Sequence, residues 1–207
     1  LDTPLPHHSP QPAPMFALDL THCSHSSAQT GIQQVARGLF HAWCDDAETC
    51  PVVFDKYLER WRRLDRRERH HLRTVDNRTK VRRKRPHWST WQRLRGRTCK
   101  AMGMGFAPPG PLSGLIVPEF YDDFVRAALP HLRSRLEGPD LAVFHDAIAF
   151  HRPDWGVPDT VRRYPAYLES LTGFRAIACV SAFSRQQLLE GWERLGLKAD
   201  SAVDVVP

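Results

Sequence analysis

Apolar and polar positions alternate along the chain in two rhythms. "MFALDL" (15–20), "CPVVFD" (50–55), "SGLIVPE" (113–119), "LAVFHD" (141–146), "RAIACVS" (175–181) and "SAVDVVP" (201–207) are short apolar runs closed by polar or turn residues. That is the pattern of strands buried on both faces of a parallel sheet. Between them the apolar period lengthens to helical spacing. "GIQQVARGLFHAW" puts Ile32, Val35, Ala36, Leu39 and Trp43 on one stripe, and "FYDDFVRAALPHLRSRL", "DTVRRYPAYLESLTGF" and "SAFSRQQLLEGWERLG" predict three more helices, the first with Pro130 as a kink site. Strand alternating with helix predicts an α/β fold, a Rossmann-like parallel sheet with helices on both faces. The Pro-rich stretch 1–14 is expected to be a disordered tail and "MGMGFAPPGP" a loop.

Open sheets of this kind bind ligands at the carboxyl ends of their strands. Three such places carry chemistry. The run 141–144 stops at His145 and Asp146, which would stand at a cleft rim; the plainer reading is a half-buried histidine bonded to backbone and an aspartate capping a turn. The loop after the first strand ends at Thr30 and Gly31 and opens a helix, where bare backbone, free N–H groups and the helix dipole favour an anion. After "RAIACVS", Ser181 or Ser184 caps the next helix.

Length and composition narrow the class. A chain of 207 residues, 42% hydrophobic and 25% charged, suffices for one soluble domain. No apolar run approaches the roughly 18 to 20 residues that span a bilayer, and no signal-peptide pattern opens the chain, so a cytoplasmic location is expected. The five cysteines are scattered without a CxxC spacing, and the paired histidines lie in the Pro-rich stretch and among arginines, so neither disulfides nor a metal is expected.

The net charge of +6 is local in origin. Between Lys56 and Lys100, 18 Lys and Arg face 4 carboxylates, a charge of +14 that leaves −8 for the rest. Nothing there matches a zinc finger, an RNA-recognition signature or a basic zipper, so no specific nucleic acid is expected. "KYLERWRRLDRRERHHLRTV" carries Tyr57, Leu58, Trp61, Leu64, Leu72 and Val75 at roughly helical spacing, which predicts a basic helical insertion over 56–100. Such a helix either lies on an anionic membrane, with Trp61, Arg62, Arg63, Arg66, Arg67, Lys84, Arg85, Trp88 and Trp91 as contacts, or is a solvated face packed on its own domain.

The order of "TGIQQVARGLF", "GLIVPE", "VFHDAIAFHRPDW", "AIACVSAFSRQQL" and "VDVVP" resembles the N-terminal domain of the family 4 glycosyltransferases, retaining enzymes of the GT-B fold. The resemblance covers 15–207 apart from the basic stretch. It implies one half of a GT-B fold, the acceptor side, with the C-terminal nucleotide-sugar domain absent from this chain. It implies transfer of a sugar from a nucleotide diphosphate sugar to a glycan or lipid-linked acceptor, with retention and without a further cofactor, in cell-surface polysaccharide or glycolipid synthesis. On that reading the chain alone is inactive, and the enzyme is cytoplasmic or peripheral on the inner face of a membrane. His145 would face the cleft beside the transferred sugar, supported by Asp146. Thr30 and Gly31 would meet the donor, and Arg37, Ser181, Ser184 and Arg185 the acceptor or phosphate. Gln34 departs from the family's "TGIxRV" form, where arginine is expected; Arg37, three residues on, is the partial substitute. The alternative is a non-enzymatic adaptor on a Rossmann-like scaffold that binds membrane or nucleic acid.

Overall fold

The computed structural model describes residues 15–74, 87–104 and 112–206. In chain order the strands are β1 (Met15–Asp19), β2 (Thr49–Asp55), β3 (Arg60–Arg63), β4 (Leu112–Val117), β5 (Asp140–Phe144), β6 (Ala176–Cys179) and β7 (Ala202–Val205). The helices are α1 (Gly31–Trp43), α2 (Arg66–Thr74), α3 (Thr90–Ala101), α4 (Asp123–Arg133), α5 (Ile148–His151), α6 (Pro158–Leu171) and α7 (Ala182–Arg194). One sheet holds all seven strands in the order β3-β2-β1-β4-β5-β6-β7, parallel except for β3. The expected Rossmann-like α/β architecture is therefore present. α4 runs through Pro130, which forfeits one backbone bond.

Successive residues of a strand point to opposite faces, and the core divides accordingly. Ala17, Val52 and Phe54 join Leu129, Leu132, Leu168, Leu171, Leu188 and Trp192 of α4, α6 and α7. Leu18 and Val53, their neighbours in sequence, join Ala36 and Phe40 of α1 and Leu72 of α2. Helices thus cover both faces. Four of the five cysteines are buried and all are unpaired, so they act as small apolar packing groups.

The basic stretch departs from expectation. Its described residues include the expected helices, α2 and α3, but they are built into the domain: Arg60–Arg63 pairs antiparallel with β2 and completes the sheet edge, with Phe54 opposite Trp61. Trp61 sits in one core and donates from Nε1 to the Ala128 carbonyl at 3.1 Å; Leu64, Leu72 and Trp88 sit in the other. Arg62 is buried too, its charge met by Asp55 (2.8 Å) and by both oxygens of Glu68 (2.7 and 2.8 Å). Gln92 of α3 adds a bond to Glu68 at 3.1 Å, and His25, stacked on Trp88, brings Nε2 within 3.2 Å of the same carboxylate. Trp61, Arg62 and Trp88 are consequently inside the protein, where no membrane reaches them. Arg63, Arg66, Arg67 and Trp91 are exposed. Lys84, Arg85 and the Pro-rich stretch lie outside the described residues. Among the described residues, no helix is long and apolar enough to cross a membrane.

Candidate functional site

From β1 the chain steps to β2 and β3 on one side of the sheet, whereas β4 lies on the other side of β1 and leads outward to β7. Connections that part in this way leave a crevice at the carboxyl ends of the two central strands. Polar residues converge on that point. Asp19 ends β1, and Thr21 and His22 follow it; Glu119 follows β4 and His145 follows β5.

Glu119 is buried, and its Oε2 accepts the Cys23 N–H at 3.0 Å, joining the two central strand ends. Its Oε1 has no hydrogen bond among the described residues and lies 3.7 Å from His22 Nδ1. Gln33, in the first turn of α1, donates to the same Nδ1 at 3.3 Å and in turn accepts from the Thr30 hydroxyl. The two partners place opposite demands on one nitrogen: a bare Nδ1 accepts from Gln33, a protonated one faces the carboxylate. Burial disfavours the imidazolium, but the facing Glu119 carboxylate outweighs it and raises the His22 pKa. This polar chain ends at the start of α1, where Gly31 is exposed and the Thr30 side chain makes no cap. A Cβ built at Gly31 meets nothing within 4 Å, so there is room for a ligand against the helix N-terminus.

His145 is half-buried, with Nε2 2.8 Å from the Pro118 carbonyl, the residue before Glu119. A carbonyl only accepts, so Nε2 is the donor and Nδ1 is the acceptor of the neutral ring, suited to a sugar hydroxyl. Ser184 fixes its backbone: the hydroxyl donates to the His145 carbonyl at 2.6 Å while Ser181 caps α7 through the Ser184 N–H at 3.0 Å.

Several expected contacts are redirected. Asp146 does not brace the His145 ring; its Oδ1 accepts from Ile148 N at 3.0 Å and starts α5, while its carbonyl accepts from the Tyr164 hydroxyl. Arg37 is only 1% exposed and holds the Ser26 and Ala28 carbonyls at 2.7 and 2.9 Å. Its guanidinium staples the loop before α1 and is turned away from solvent, where a phosphate would approach. Ser184 is buried and spent on the backbone, and Arg185 donates to the Val203 carbonyl at 3.0 Å. Among the described residues no three metal-ligating side chains converge.

Asp19, Glu119 and His22 were not singled out by sequence, although "DLTH" and "VPE" place them at or just past strand ends. Asp19 is buried at the end of β1, with Oδ1 accepting from Thr21 N (2.9 Å) and Oγ1 (2.5 Å). Burial pushes its pKa from 3.8 up to about 7, the Thr21 bonds pulling down and Glu119 and Asp122 pushing up. The folded protein therefore holds a proton that the unfolded chain releases between about pH 4 and 7. Stability conferred by this site falls as pH rises through that window, by at most about 1.4 kcal/mol per pH unit. Asp19→Asn is expected to flatten the slope, seen as a smaller change in urea midpoint between pH 5 and 8; an unchanged slope excludes Asp19 as its source. Compared with protein families, with curated proteins and with solved structures, the chain finds no match.

Proposed function

We propose that this chain is the acceptor-side half of a retaining glycosyltransferase, moving a sugar from a nucleotide diphosphate sugar to a glycan or lipid-linked acceptor. One observation carries the reading: an open, uncapped helix N-terminus is linked through Gln33 and His22 to a buried carboxylate, Glu119, at the point where the strand order reverses. The first suits a diphosphate and the second an incoming hydroxyl. The motif order seen in the sequence supports the same class.

In such a transfer the bond from the anomeric carbon to the diphosphate oxygen breaks and the acceptor oxygen bonds on the same face. Retention brings the incoming and departing oxygens together, so the departing diphosphate takes the acceptor proton. The N–H groups at Gly31 stabilise its charge, and His145 Nδ1 accepts from a hydroxyl of the transferred sugar as positive charge grows on the ring. Glu119 and His22 orient the acceptor hydroxyl. A nucleotide-binding domain completes the donor site, and the isolated chain binds sugar nucleotides more weakly than micromolar.

The test is transfer from labelled UDP-, GDP- and dTDP-sugars by the chain extended past residue 207, with product configuration read by NMR. Retained configuration supports the proposal. Absence of transfer from every donor, inversion, or micromolar donor affinity of residues 1–207 alone contradicts it.

A further inference from the structure

α3 has two unlike sides. Gln92, Gly96 and Cys99 are buried, and a Cβ at Gly96 would lie 2.7 Å from Tyr57 Cβ, so the bare backbone lets the helix seat against the segment after β2. The opposite side carries Trp91, Leu94, Thr98 and Ala101 at steps of three and four residues, and Met102 continues it. Trp91, Leu94 and Met102 are 60%, 57% and 64% exposed. Single exposed apolar side chains are ordinary; three large ones at one helix surface mark a contact.

The same helix holds Arg93, Arg95, Arg97 and Lys100 and no carboxylate. Arg95 and Lys100 are paired with Asp65 and Glu59. Arg93 donates to the Trp88 carbonyl and Arg97 lies over the Tyr57 ring, so among the described residues both keep a charge that no acid offsets. Large apolar side chains beside uncompensated arginines are complementary to an anionic lipid interface: the former enter the headgroup–acyl boundary and the latter meet phosphate. A nucleic acid would use the arginines and leave Leu94 and Met102 in water.

We propose that α3 docks the protein on an anionic bilayer surface through Trp91, Leu94 and Met102, with Arg93 and Arg97 against the headgroups. The inference rests on this helix alone and goes beyond the crevice chemistry.

The experiment is cosedimentation of the wild-type chain, Trp91→Ser/Leu94→Ser and Arg93→Glu/Arg97→Glu with phosphatidylglycerol-containing and pure phosphatidylcholine vesicles at physiological ionic strength. Thermal melts accompany it to show that these surface variants stay folded. Wild type is expected to partition about tenfold or more in favour of the anionic vesicles, and each pair of substitutions to lose about tenfold. Equal recovery on both lipids, or full binding by Trp91→Ser/Leu94→Ser, overturns the proposal. So does equally tight binding to duplex DNA that needs Arg93 and Arg97 but not Trp91 and Leu94.

Discussion

His145→Ala is expected to lower the kcat of the proposed transfer by about 10²-fold or more while the melting curve moves little. The expectation follows from where the ring stands. Its backbone is held by Ser184 and its Nε2 by the Pro118 carbonyl, so the fold fixes the ring from two sides, and Nδ1 remains the acceptor. Truncation removes that acceptor and leaves a half-exposed space that water fills. His145→Gln separates chemistry from packing, because its amide can still donate to Pro118. Near-native kcat in a well-folded His145→Ala would reduce the residue to a link between β5 and β4. Ser184→Ala provides a graded comparison: it frees the His145 carbonyl without touching the ring, and a smaller fall in kcat is expected.

Arg62→Met is expected to destabilise the chain by roughly 3–5 kcal/mol, the scale of breaking a buried ion pair from one side. Arg62 joins Asp55 at the end of β2 to Glu68 in α2, and all three are sealed from solvent. Without the guanidinium, Glu68 keeps, among the described residues, Gln92, the Asp65 N–H and the nearby His25. Asp55 keeps the Tyr57 and Leu58 N–H groups. Burial pushes the Glu68 pKa up, but the hydrogen bonds and charge of Arg62 dominate and bring it down to about 2. A lowered carboxylate stabilises the fold fully above its ordinary value of 4.5 and loses this as pH falls toward 2. Urea denaturation at pH 7 and pH 3 checks both statements. The gap in stability between wild type and Arg62→Met should narrow from pH 7 to pH 3, because the opposite contribution of Asp19 is common to both. The double variant Arg62→Met/Glu68→Leu should recover part of the loss at pH 7, since it removes the stranded charge as well. A single variant as stable as wild type would show that the network holds nothing in place.

This network also explains what the sequence concealed. Six strands were legible because Val52-Val53 or Ala142-Val143-Phe144 are apolar runs that no helix of that length requires. β3 was not, because "RWRR" has the composition of a solvated helix. It becomes a strand only through pairing with β2 and through two carboxylates, Asp55 and Glu68, that lie seven and six residues from Arg62. The partners of Trp61 and Trp88 were equally hidden, since burial depends on which helices fold over them. Strand ends were visible, and with them His145, Gly31 and the Ser181 cap. What brings His22 to Glu119 is the adjacency of β1 and β4, strands separated by about ninety residues of chain. No local pattern encodes that adjacency. Arg37 shows the converse error: a basic residue on the first turns of a helix looked like an anion contact, whereas its length and five donors suit it to gather the carbonyls of the loop beside it.

On the proposed function, the crevice between the carboxyl ends of β1 and β4 binds the reacting sugar diphosphate. An amide-resolved NMR titration of the 207-residue chain with UDP-glucose and GDP-mannose, carried to millimolar concentration, probes that binding. Weak, saturable shifts centred on Gly31, His22, Glu119 and His145 are expected, and their loss in Gly31→Ala, a substitution that the open space at this position lets the fold accept. Shifts confined to other surfaces, or an unaltered response in Gly31→Ala, would contradict it.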